Sequence, residues 1–350
     1  MQFARRSDVV WSIYLVLAVI GVFVVLVVDG HYPYEHTAAI LDGSIERPFR
    51  YRILVPYLIG ATVWVGRGLG LHLSSTGLGH FLQHDFGIRP VHLELALWSA
   101  VWGVLLTWAT LGLARKMFSE CFVISPLAAF FMPIVYWPFT RALNQDTFWI
   151  YDFAAPLFWM IGVRLVMLRK HLAFLAFCIV GTLDKETLVL VAVVQFLMLY
   201  REGRPRQALA SCGAAVLVVV LVRVASMLLQ DMGRPFSDDD NLMRNFIERN
   251  LVQVFRNPML RSPSFLISFM AGLVLVFRGI RRRPAILQNV MATVPVYTAL
   301  WFRGGFFLEI RVFNELLPFL IMLAYVNALE LITERRIEPV KHQESARAGA

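Results

Sequence analysis

Three stretches hold residue types that suit transfer chemistry. "DGHYPYEHTAAILDGSIERPFRYR" carries Asp29, Asp42, Arg47, Arg50 and Arg52; "DKE" is Asp184, Lys185 and Glu186; "RGGFFLEIRVFNE" carries Arg303, Glu309, Arg311 and Glu315. A carboxylate placed beside a hydroxyl takes its proton as it attacks, and cations nearby stabilise a departing phosphate. Arginine does this best where its planar fork meets two phosphate oxygens. Each group also has a plainer reading. Asp29 at the end of an apolar run can simply mark a helix boundary, and the arginines at 47–52 can anchor a helix to lipid headgroups.

What must position these groups is a set of apolar helices. The chain has 350 residues, 58% hydrophobic and 16% charged. Soluble domains run nearer 45–50% apolar and 25% charged, so the composition reads as an all-α integral membrane protein. A span needs about 20 apolar residues to cross roughly 30 Å of hydrocarbon. The first run, Val9–Val28, is followed by no cleavage-site pattern and reads as a retained span.

Basic residues set the topology. Arg5 and Arg6 precede the first span, and Arg115-Lys116, Arg169-Lys170, Arg201 to Arg206 and Arg278 to Arg283 punctuate the loops, which assigns all of them to the cytoplasmic side. The connector "TRALNQDTFWIYD", with Arg141, Asn144, Gln145, Asp146 and Asp152, then lies outside. Between the clusters at 169 and 201 a single helix would bury three charges mid-membrane, at about 2.5–3.5 kcal/mol each. Two short helices meeting at "DKE" avoid that cost. Each arm is about 13–14 residues, or about 20 Å, so the turn is expected at or below the outer boundary in a protein-lined recess.

Parity then sends 208–229 out, 264–277 in, 285–302 out and 316–332 in, with 93–114 running inward. Residues 73–92 are too polar to span, so 48–71 is expected to be an interfacial or re-entrant helix on the outer side, in a bundle of about ten spans. Residues 1–332 read as one transmembrane domain with external loops 29–52, 141–152, 231–262 and 303–315. Residues 333–350 read as a disordered cytoplasmic tail, so both termini are cytoplasmic.

Several classes fall away. A net charge of +9 would suggest nucleic acid in a soluble protein, but here it resides in inter-span loops, and no nucleic-acid partner is implied. Cys121, Cys178 and Cys212 lack paired spacing, and the eight histidines lack metal-ligand spacing. No metal site is assigned; the acidic run Asp238 to Asp240 is a solvated loop or, at most, a place for a divalent ion. Arg223 lies inside a span near its outer end, where a snorkelling side chain or an ion pair outweighs a catalytic role. The polar residues nonetheless collect on the external segments, which favours a site at the outer membrane surface.

An Asp just beyond the first span followed by tyrosines, an acidic "DKET" turn between short helices, and "RVFNELLP" (R-x-F-x-E-x-x-P) entering the last span resemble polytopic glycosyltransferases of the GT-C superfamily. "PFRYRILVPYL" is similar to a stretch in bacterial membrane proteins related to that group. The resemblance implies a multi-pass protein of the bacterial inner membrane that transfers a sugar from a polyprenyl-phosphate donor, with no certain cofactor. The acceptor, whether glycan, lipid or protein, is left open. It implies Asp29 as base by position, Asp42 in reserve. Arg303 and Arg311 would hold the donor phosphate, with Lys185, Arg50 and Arg52 as further cations and Arg141, Asp184, Glu186 and Glu315 lining the site. The chain is short for the family, lacks a large C-terminal domain and follows Asp29 with Gly. Two rivals stand beside this reading: a secondary transporter or lipid flippase with its site near the DKE break, and a non-catalytic membrane scaffold.

Overall fold

The computed structural model describes residues 7–24, 33–44, 52–143, 150–231, 262–304 and 314–340. They form thirteen α-helices and no strand beyond one isolated bridge. In chain order these are α1 (Ser7–Phe23), α2 (Pro33–Leu41), α3 (Leu54–Gly68), α4 (Gly77–Phe86), α5 (Leu93–Cys121), α6 (Pro126–Leu143), α7 (Ile150–Met167), α8 (His171–Thr182), α9 (Val189–Arg201), α10 (Pro205–Asp231), α11 (Pro263–Phe277), α12 (Ala285–Gly304) and α13 (Leu317–Thr333). Each apolar run read as a span is a helix here. By length and hydropathy, however, two helical runs suffice to cross a membrane, Pro90–Cys121 and Pro205–Leu229.

The core is built around α5. It is flanked by α1 and α7, and its own glycines let the axes close up. Trp11 of α1 lies over Gly112, where an added Cβ would come within 1.9 Å of the ring, and the Trp108 indole N–H donates to the Trp11 carbonyl at 2.9 Å. Farther along, Gly103 faces Val22 of α1 and Phe153 of α7. Trp11 thus meets the later part of α5 and Val22 the earlier part, so α1 and α5 are antiparallel. The buried cluster continues through Phe118, Trp159, Phe174, Val191, Leu287 and Phe319.

Residues 73–92 form no helix of spanning length. They make α4, a ten-residue helix opened by Thr76, whose hydroxyl accepts the Gly79 N–H, and closed by Gly87 in the left-handed region at φ 62°. Before it, α3 runs back along the first part of α5: Val55 and Ile59 pack in the cluster with Val22 and Phe153, while Arg67 reaches Glu94 at 3.4 Å. Glu94 also accepts the Leu73 N–H at 3.3 Å and so ties the connection to the start of α5.

At the opposite end the contacts close a ring. Glu120 of α5 takes both arms of Arg164 of α7 at 2.8 and 3.0 Å. Arg169 pairs with Glu202, Arg201 donates to Gln288 at 3.0 Å, and Arg283 forks onto Glu330 at 2.6 and 2.9 Å while touching Asn327. A strap from the C-terminal segment completes it. Val123 N–H donates to the Glu338 carbonyl at 2.9 Å and Val340 N–H to that of Cys121 at 3.1 Å. This corrects the expectation that 333–350 is a disordered tail from its first residue. Glu334 turns through the left-handed region at φ 54°, and the segment to Val340 is held because the α5–α6 junction offers backbone groups to pair with, and Glu330 accepts the Ile337 N–H. The basic clusters at 169, 201 and 278–283 meet in this ring.

Candidate functional site

The apolar stretch containing "DKE" is broken, as its charges require: α8 ends at Thr182 and α9 begins at Val189. The turn satisfies its own backbone. Asp184 and Lys185 N–H groups donate to the Gly181 carbonyl at 3.1 and 2.9 Å. Gly181 is needed there, since a Cβ would meet the Leu188 side chain at 2.4 Å. The remaining carbonyl of note, Leu183, accepts the Leu54 N–H at 3.1 Å, which fastens the start of α3 to the turn.

Four other elements bring charge to this turn. Arg52, just before α3, places Nη2 3.2 Å from Glu186 Oε1; Arg223 of α10 places Nη2 3.5 Å from Glu186 Oε2. Lys185 Nζ lies 2.8 Å from Glu315 Oε1, with side chains 5% and 0% exposed. Thr187 donates its hydroxyl to the same oxygen at 2.7 Å, and the Tyr297 hydroxyl of α12 donates to Oε2. Asp152, in the first turn of α7, is buried beside Asp184. A buried ion costs several kcal/mol to desolvate, so such a cluster forms only where each member finds compensation.

Asp184 is the exception. It is 1% exposed, and neither carboxylate oxygen has a hydrogen-bond partner among the described residues. The turn belongs to neither helix. There, burial pushes the carboxyl well above the usual carboxylate range; Lys185 and Arg52 pull it down, while Glu315 and Asp152 add to the rise.

Helix rise fixes the depth. From Asp152 to Arg164 along α7, and from Val189 to Arg201 along α9, the cluster stands about 18 Å from the ring. Beyond it, α10 continues from Arg223 and α12 from Tyr297 for about 10–12 Å. The site is recessed between two ends.

Of the residues read from sequence, Arg52, Asp184, Lys185, Glu186 and Glu315 come together. Arg52, expected at headgroup level, is instead buried against Glu186, because the turn offers it a carboxylate and a backbone anchor. Lys185, expected to hold donor phosphate, spends its charge on Glu315. Glu315 in turn is saturated by three donors and positions the entry to α13. Asp42 is exposed and closes the turn after α2 by accepting the Ser44 N–H at 2.8 Å. Arg141 and Arg303 lie in the last turns of α6 and α12. Asp29, Arg50 and Arg311 fall outside the described residues, as do Asp238, Asp239 and Asp240. Among the described residues no group of three His, Cys, Asp or Glu suits a metal ion.

Sequence reading missed Tyr297 and Thr187 and discounted Arg223. A lone arginine within an apolar helix was the available signal, since such a residue needs a partner. Tyr297 gave none.

No family model, curated protein or solved structure matches the chain.

Proposed function

We propose that the chain is an integral membrane glycosyltransferase. It moves a sugar from a polyprenyl-phosphate donor to an acceptor at the outer face of a bacterial inner membrane. The observation that carries this reading is the recessed cluster: carboxylates and guanidiniums from five parts of the chain, gathered at the level of a broken helix. Glycosyl transfer needs such a pairing, a carboxylate for the acceptor's proton and cations for the departing phosphate.

The membrane part of the reading rests on the outer surface of the bundle. Large apolar side chains stand exposed along α10 (Leu217, Leu221, Leu228), α11 (Ile267, Val274) and α8 (Leu172, Ile179), as lipid-facing helices present them. Ten spans, cytoplasmic termini and an interfacial α3 complete the arrangement. On α3, Trp64 and Val65 are exposed, as an interfacial helix requires. Arg52 and Arg223 both reach Glu186, which keeps 36% of its side chain exposed.

Reconstituted protein is expected to transfer radiolabelled sugar from a short-chain polyprenyl-phosphate sugar to a lipid or glycan acceptor. No transfer with any such donor, together with no donor binding, defeats the reading. Labelling single cysteines at Ser237 and Gly279 from outside tests the orientation, with reaction expected at 237 alone.

The helix break also favours a secondary transporter, whose substrates bind where discontinuous helices meet inside the membrane. Uptake into proteoliposomes without sugar transfer would select that reading instead.

A further inference from the structure

Among the described residues the cluster holds three cations, Arg52, Lys185 and Arg223, against four carboxylates, Asp152, Asp184, Glu186 and Glu315. Glu186 and Glu315 are paired with cations. Asp184 is the carboxylate with neither a described hydrogen bond nor exposure to water.

We infer that Asp184 is the proton-exchanging group of the site and takes the proton from the attacking acceptor hydroxyl; this role rests on the glycosyl-transfer reading. The acceptor oxygen forms a bond to the anomeric carbon. The bond from that carbon to the donor phosphate oxygen breaks, its electron pair leaving on the phosphate. The acceptor's proton passes to an Asp184 carboxylate oxygen, whose charge is neutralised in the same event.

Two comparisons support the choice of Asp184. A carboxylate stripped of water and hydrogen bonds is a stronger base than one with either, and the best general bases ionise near the working pH. Asp42 is exposed and hydrogen-bonded, so it is the weaker base. Asp184's surroundings come from every neighbouring element: Lys185 and Glu186 on its own turn, Arg52 before α3, Asp152 on α7, Glu315 before α13 and, through Glu186, Arg223 on α10. The cations hold the carboxylate form within reach, and the two extra acids make it hold a proton once taken. Glu186, two residues on, is partly exposed.

The test uses the full chain in lipid nanodiscs, read by infrared difference spectroscopy over a pH titration and by sugar transfer. Wild type is expected to show a protonated-carboxyl band that titrates, absent in Asp184→Asn. Transfer in Asp184→Asn is expected to fall by about 100- to 10,000-fold with donor binding kept. Asp184→Glu, which keeps a carboxyl at a shifted place, should move the band's midpoint and retain part of the rate, and it serves as the reading if Asp184→Asn does not fold. A titrating band that persists in Asp184→Asn, an unchanged midpoint in Asp184→Glu, or full transfer by Asp184→Asn overturns the assignment. If the band behaves as expected but wild type transfers no sugar, the base role falls with the glycosyltransferase reading, and Asp184 stands as a proton site alone.

Discussion

At the ring end, charges meet two at a time with water nearby: Arg164 and Glu120 are each 24% exposed, and Arg169 and Glu202 are half-buried. About 18 Å away, at the DKE turn, seven charged residues share one recess, and Lys185 and Glu315 are almost wholly buried. Apart from Arg283, which is buried against Glu330 and Asn327, the ring uses ion pairs as fasteners between helix ends, where solvent screens them and either partner can be lost at small cost. The recess uses them as a network in which each member depends on the rest. Proton exchange or ligand anchoring belongs to the second kind, because only there does a change of one charge alter the energy of all the others.

The largest expected effect breaks the network at its most buried pair. Lys185→Met leaves Glu315 as an uncompensated ion and should cost about 3–5 kcal/mol. In chemical unfolding in detergent, Lys185→Met/Glu315→Gln should recover much of that loss. A single-variant cost under about 1 kcal/mol would mean that the two ends do not differ.

Next in size is the pH response. Because the Asp184 carboxyl is raised above its unfolded value, its stabilising contribution is complete below the usual carboxylate range and is lost as pH rises through its folded value. Wild type should therefore lose stability on the alkaline side where Asp184→Asn stays flatter, as followed by thermal melts across pH. Identical profiles would show that Asp184 does not hold a proton.

The smallest effects belong to the ring. Arg164→Gln should cost about 1 kcal/mol or less, and less again in high salt. Arg169 sits at φ 57°, a conformation that glycine adopts without strain. Arg169→Gly should thus lose a weak pair, gain backbone relief and change the midpoint by about nothing. A loss from either variant comparable to that of Lys185→Met would erase the contrast.

The parts of this arrangement legible in sequence are those whose cause is local. Apolar runs gave helices, and the charges at 184–186 demanded a break because one helix could not bury them. Thr76 and Gly87 frame α4 with ordinary caps. The partners of the DKE turn were not legible, since Arg52 and Glu315 lie 134 and 130 positions from Glu186 and Lys185 and nothing local links them. Arg223 was underrated for a related reason: judged alone, it can snorkel, and only the fold supplies Glu186. The strap was invisible because it pairs through backbone atoms, which side-chain patterns do not report.

That strap bears on how the molecule is assembled. Val123 and Glu338 are more than two hundred positions apart. During synthesis, α5 and α6 are therefore in place long before the backbone that closes their junction exists. Until then the Val123 amide and the Cys121 carbonyl must find other partners. Ring closure is thus a late step, and a truncation before Glu338 should yield a helical bundle that protease still reaches at the α5–α6 junction.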